Sequence, residues 1–153
     1  MIAEGSIAPD FTLPRDGGAT MTLSALRPGK VVLYFYPKDD TPGCTLEAQD
    51  FNARLADFTA AGATVIGVSK DSVKSHDKFC KKHGLSIVLA SDEGGQTCED
   101  YGVWLEKRLY GKTYMGVERT TVLIDGDGKV VRVWPKVSVK GHADQVLAAV
   151  KAI

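Results

Sequence analysis

Apolar positions in this chain gather into short blocks separated by polar turns. Val31–Tyr36 is a continuous apolar run, and Thr64–Ser69, Ile87–Ala90, Thr120–Asp125 and Val130–Trp134 are further runs of strand character. Runs of this length, bounded by turn residues, predict strands. The last two flank Asp125-Gly-Asp-Gly128, a strong hairpin signal. A helical period governs Cys44, Ala48, Phe51, Leu55 and Phe58 within a stretch from Thr45 to Ala61, and again Asp71–His83 and His142–Ala152. A short helix is expected near Gly95, taking in Cys98. Strand–helix–strand–helix, then a hairpin, then a terminal helix predicts an α/β sandwich. The 153 residues show no repeat, low-complexity tract or linker, so one domain over 1–153 is expected.

Charge and cysteine content narrow the function. Lys plus Arg equals Asp plus Glu, at 19 each, which leaves no net field to draw the protein to nucleic acid or anionic lipid. No apolar run approaches a membrane span, and Met1 to Leu13 lacks a basic-then-apolar leader, so a cytoplasmic protein is expected. Three cysteines do not make a secreted disulfide framework; in a reducing compartment they read as catalytic, inert or metal-binding.

Pro37-Lys-Asp-Asp-Thr41-Pro42-Gly43-Cys44 is the segment with chemistry in it. It leads from the longest apolar run into the first helical pattern, which puts Cys44 in the first turn of a helix that springs from a strand end. Thr41 suits the N-cap, and Pro42 suits the first helical position, where its missing N–H costs nothing. Free backbone donors and the positive end of the helix dipole then favour a thiolate, the nucleophilic form of cysteine. A helix terminus supplies only about 0.3–2 kcal/mol, so a second cation is expected nearby. The alternative reading of Cys44 is a buried structural cysteine after a strand.

Pro37 with Thr41-x-x-Cys44 resembles the peroxiredoxin signature Pro-x-x-x-Thr-x-x-Cys. Tyr34-Phe-Tyr-Pro-Lys and Thr41-Pro-Gly-Cys-Thr-Leu-Glu47 are similar to the bacterioferritin-comigratory, or PrxQ-type, subfamily. The likeness continues in order through Ala8–Leu13, Ile66–Ser69, Leu89–Asp92, Tyr101–Trp104, Tyr110–Lys112 and Gly116–Asp125. This resemblance implies a thioredoxin-like fold, with a central mixed β-sheet flanked by helices. It implies a thiol peroxidase that reduces hydrogen peroxide and organic hydroperoxides through a cysteine sulfenic acid.

The resemblance also assigns roles. Cys44 is the peroxide-reactive cysteine, and Arg119, at the family's active-site arginine position, is the second cation; its fixed fork of donors suits both thiolate and peroxide oxygen. The Thr41 hydroxyl would accept from peroxide and donate to its oxygens besides capping the helix. Pro37 would shield the sulfur and fix the turn, and the Gly43 and Cys44 N–H groups would meet the developing charge on the leaving oxygen. Glu47 either orients Arg119 or is a solvated helix carboxylate.

Many members of the subfamily carry a resolving cysteine five residues after the reactive one, where this chain has Gln49. Another branch carries it on a later helix, and Cys80 matches that place. Val73, Phe79 and Cys80 also fit a plain core-facing stripe, and Cys98 is the competing resolver or a space-filler near a helix start. The expected cycle closes an intramolecular disulfide that a thioredoxin-like dithiol reduces, in a protein the resemblance inclines to a monomer. A one-cysteine peroxidase resolved by an external thiol, or a thiol redox sensor, are the alternatives. His76, Cys80 and His83 share one helix face but lack a fourth ligand at zinc spacing, so no metal is expected, and no cofactor motif occurs. Trp104 and Trp134 read as packing residues.

Overall fold

The sheet is built around one strand. Val31, Leu33 and Phe35 face one side of β3 (Lys30–Phe35), Val32 and Tyr34 the other, and all five are buried. A strand apolar on both faces belongs in the middle of a covered sheet. The structure, a computed structural model, describes residues 2–153; Met1, the first residue of the expected domain and of the expected leader-free stretch, lies outside the described residues.

The remaining elements are β1 (Thr12–Pro14), β2 (Thr20–Thr22), α1 (Pro42–Ala53), α2 (Leu55–Ala60), β4 (Ala63–Ser69), α3 (Val73–His83), β5 (Val88–Ser91), α4 (Thr97–Asp100), β6 (Trp104–Leu109), β7 (Lys112–Val117), β8 (Thr120–Ile124), β9 (Val130–Trp134) and α5 (His142–Lys151). The central sheet runs β5-β4-β3-β8-β9. β3, β4 and β5 pair in parallel, whereas β8 is antiparallel to β3 and β9. This mixed sheet flanked by helices is the thioredoxin-like arrangement implied by the resemblance. Among the described residues, no helix is long and apolar enough to cross a membrane.

Two buried clusters lie on opposite faces of the sheet. One joins Val32, Tyr34, Leu89 and Leu123 to Cys44, Ala48 and Phe51 of α1, Phe58 of α2, Phe79 of α3 and Val146 of α5. The other joins Val31, Leu33 and Phe35 to Phe11, Leu13, Tyr101 and Cys98. Cys44 and Cys98 therefore stand on different sides of the sheet.

The expected helix from Thr45 to Ala61 is broken at Arg54, whose backbone leaves helical geometry (φ −105°, ψ 8°). Its side chain is fixed there, bonding the Asp50 carbonyl oxygen at 2.9 Å and ion-pairing with Asp144 of α5. Asn52 bridges in the same region, its Oδ1 accepting from Ser86 N at 2.6 Å. Side-chain periodicity survives the break because α2 resumes the same buried face with Phe58.

Gly67 of β4 lies beside Tyr34 in the parallel register. A Cβ there would come within 2.7 Å of Tyr34 Cζ and 2.8 Å of Leu89 Cδ2. The Tyr34 ring in turn stacks on Phe51 of α1, with centroids 4.7 Å apart. Overpacking a dense core costs about 1–3 kcal/mol. Gly67→Ala should therefore lower the urea midpoint by a corresponding amount, and an unchanged midpoint would show that the Tyr34 ring yields freely.

Candidate active site

The site forms where β3 ends. Tyr36 N still donates to Val68 O at 3.0 Å, and the chain then turns through Pro37–Asp40 into α1. Asp40 adopts φ +58°, which aspartate tolerates better than most residues. Helix α1 begins at Pro42, with Thr41 extended at the N-cap and its carbonyl accepting from Thr45 N at 2.8 Å. The Thr41 side chain departs from expectation. Its hydroxyl donates to Lys38 O at 2.8 Å and does not cap the helix. Its proton is thus spent locally, which leaves the oxygen as an acceptor.

Cys44 sits in the first turn of α1 and is 2% exposed. Arg119, in the link between β7 and β8, brings Nη2 to 3.3 Å from the Cys44 Sγ and Nη1 to 2.6 Å from Glu47 Oε1. One guanidinium thus uses adjacent prongs of its fork on the sulfur and a carboxylate. Gly43 makes room for it, since a Cβ there would stand 3.2 Å from Nη2. Burial opposes charge on Arg119, but Glu47 and Cys44 outweigh it and raise its pKa. The arginine is a fixed cation.

Glu47 is 1% exposed, so the solvated-carboxylate reading does not hold. Burial pushes its carboxyl up to about 7, against the pull of Arg119. Its Oε2 is buried without a hydrogen-bond partner. Lys107 of β6 is a further cation near the sulfur, and sequence pattern gave no sign of it. Burial lowers its pKa, Arg119 adds to that lowering, and Glu118 and Cys44 oppose it. Its Nζ donates to the Val117 carbonyl.

The other expected residues are arranged less simply. Pro37 is exposed on the loop. Gly43 is exposed beside the sulfur. Cys80, near the middle of α3, is half-buried against the cluster that holds Cys44, and burial followed by the charges of Asp16, Asp39 and Asp77 pushes its thiol up to about 12. Cys98 is fully buried beyond the sheet, where burial and Asp92 raise its thiol. The cysteines are all free thiols. His76 and His83 do not turn toward Cys80 as a ligand set: His76 bonds Asp39 and the Ala90 carbonyl oxygen, and His83 bonds Asp40.

Comparison with known proteins gives one consistent family. Residues 5–133 match the model of the AhpC/TSA family. The chain is 52% identical over 143 residues to the peroxiredoxin Bcp of Xanthomonas campestris, covering 94% of this chain and 89% of that one. It is 51% identical over 146 residues to a putative peroxiredoxin bcp of Coxiella burnetii, covering 95% and 97%. A solved structure of Xanthomonas campestris peroxiredoxin Q superposes with a TM-score of 0.89 at 52% identity, covering 93% and 90%. A PrxQ mutant of Xylella fastidiosa does so with a TM-score of 0.94 at 41% identity, covering 99% and 97%. Work on the Xanthomonas protein concerned its alkyl peroxide reduction activity. Two of its cysteine-to-serine mutants have been solved, and the two cysteines stand as far apart in that sequence as Cys44 and Cys80 do here.

Proposed function

Because this chain belongs to the AhpC/TSA family, among its Bcp (PrxQ) peroxiredoxins, we propose that Cys44 reduces hydrogen peroxide and organic hydroperoxides and that Cys80 resolves the oxidised sulfur. The observation that carries the reading is the Arg119 guanidinium 3.3 Å from the Cys44 sulfur, at the first turn of α1. A cation and the start of a helix thus meet at one thiol.

In the proposed reaction the Cys44 thiolate attacks the terminal peroxide oxygen. The S–O bond forms as the O–O bond breaks, and the departing oxygen takes a proton to leave as water or an alcohol. Arg119 Nη2 and the Gly43 and Cys44 N–H groups meet the negative charge that develops on that oxygen. The Thr41 oxygen accepts from the incoming peroxide O–H, its own proton being held by Lys38 O. Glu47 holds the guanidinium in place. Pro37 fixes the turn that presents the sulfur.

Sulfenic acid at Cys44 then condenses with the Cys80 thiol. An S–S bond forms, the S–O bond breaks and water leaves. A disulfide needs Cα atoms within about 7 Å, and two cysteines embedded in separate helices meet that demand through local unwinding. Release of α3 would also relieve the burial that raises the Cys80 thiol. Cys98 is a poor competitor because the sheet separates it from Cys44. A thioredoxin-like dithiol restores both thiols by exchange. The reading is completed by a monomer acting in the cytoplasm. The closed, raised thiol of Cys80 is the one observation favouring the rival in which an external thiol resolves Cys44.

Arg119 provides the test of the first step. Removing one preorganised donor costs about 10²–10³ in rate, so Arg119→Ala should slow reaction with peroxide by that order in stopped-flow measurements. Alkylation at high pH should be slowed far less. Arg119→Lys should recover part of the rate, having charge without the fork. Since Arg119→Ala leaves Glu47 buried and unpaired, Arg119→Ala/Glu47→Gln serves as the folded control. An unchanged peroxide rate in both would remove Arg119 from the reaction.

A further inference from the structure

Helix α3 has a thin apolar anchor: Phe79 is its only buried apolar side chain. Its attachment to the loop before α1 is polar. His76 is fully buried and uses both ring nitrogens, with Nδ1 2.7 Å from Asp39 Oδ2 and Nε2 3.0 Å from the Ala90 carbonyl oxygen. A carboxylate and a carbonyl only accept, so the protonated ring satisfies both partners, whereas a neutral ring leaves one of them without a ring donor. Asp39 is 7% exposed and also accepts from the Ser75 hydroxyl, at 2.8 Å, and from the Tyr36 hydroxyl. The Asp39 backbone N–H donates to Asp71 Oδ2 at 2.8 Å.

Asp39 from the loop, Tyr36 just beyond β3 and the Ala90 carbonyl from β5 contact the ring, and Asp71 from the β4–α3 connection, which accepts from the Asp39 N–H, adds its charge. Burial disfavours the charged ring, but the hydrogen bond and charge of Asp39, the Ala90 carbonyl and Asp71 outweigh it, so the His76 pKa is raised. A second tie joins Asp40 to Lys82 and His83, and it is largely exposed. An exposed pair is screened by water and adds little, whereas removing one partner of a buried pair leaves the other charge uncompensated inside the protein.

We propose that the Asp39–His76 ion pair is a latch holding α3 shut against the active-site loop, and that its release governs how often Cys80 is freed from its helix. His76 lies one helical turn before Cys80, and Asp39 lies two residues before Thr41, so the pair joins the two segments that must separate. The catalytic consequence rests on Cys80 being the resolving cysteine; the latch itself does not. Because the folded His76 pKa is raised above 6.5, the latch is at full strength below that value and is lost as pH rises through the folded pKa. Alkaline conditions therefore loosen α3.

Hydrogen exchange on the reduced full-length protein tests this. After correction for base-catalysed intrinsic exchange, peptides across residues 73–83 should exchange at least about tenfold faster in His76→Gln and Asp39→Asn than in wild type at pH 6. Wild type should approach the variants as pH rises, and His76→Gln should show no such rise. Reaction of Cys44 with the first equivalent of peroxide should be unchanged in His76→Gln, while the following disulfide step should be faster. If His76→Gln does not fold, the wild-type pH series and Asp39→Asn decide. Equal α3 protection in variants and wild type, or a corrected wild-type series flat with pH, would overturn the latch. Faster α3 exchange with an unchanged rate of Cys44–Cys80 bond formation would overturn its control of resolution. A peptide map lacking that bond would instead refute the resolving role of Cys80, with the exchange data still deciding the latch.

Discussion

Cys44→Ser is expected to bring peroxide turnover down to the uncatalysed background, while Cys98→Ser keeps near wild-type turnover. The contrast follows from position. Cys44 is in the first turn of α1 with a guanidinium on its sulfur, whereas Cys98 is fully buried on the far side of the sheet with its thiol raised by burial and by Asp92. Serine conserves size at Cys44 but is not ionised at neutral pH, so no nucleophile remains. Peroxide consumption followed with a coupled thioredoxin system measures both variants. Turnover retained in Cys44→Ser would remove the nucleophile from this account.

Cys80→Ser should separate the two halves of the cycle. The first peroxide still reacts at wild-type speed, because Cys80 lies outside the ring of groups around the Cys44 sulfur. Recycling by thioredoxin then fails, since no intramolecular disulfide forms, and sulfenic acid at Cys44 accumulates and passes on to sulfinic acid under excess peroxide. Trapping with a sulfenic-acid probe and counting turnovers would show this as one fast event followed by arrest. Sustained cycling with thioredoxin in Cys80→Ser would favour the one-cysteine scheme.

The parts of the fold with strong pattern were legible in the sequence. Val130–Trp134 is the strand expected, and His142 does open the last helix. The start of α1 was marked by its own chemistry, Thr41 before Pro42. The break at Arg54 was hidden, because Phe51 and Phe58 keep a helical period across it and the ion pair with Asp144 is remote in sequence. The ribbon of β6 and β7 was missed for a different reason. Leu105, Leu109, Tyr114 and Met115 are exposed on it, so no apolar–polar alternation marks either strand.

At the site, the motif brought out Cys44 and the resemblance named Arg119, and the two come together in space. Burial of Glu47 and the approach of Lys107 depend on elements far apart in the chain, which no local spacing encodes. The Thr41 hydroxyl was the misjudged detail. Both a cap and a turn bond suit threonine there, and the Lys38 carbonyl wins.

Intact mass of the reduced protein after one equivalent of peroxide, followed by peptide mapping, tests the central claim most directly. The account predicts a product lighter than the reduced protein by two hydrogens, with Cys44 and Cys80 in one disulfide-linked peptide pair and Cys98 still alkylatable. A product heavier by one oxygen that never loses it, or a bridge from Cys44 to Cys98, would contradict the account.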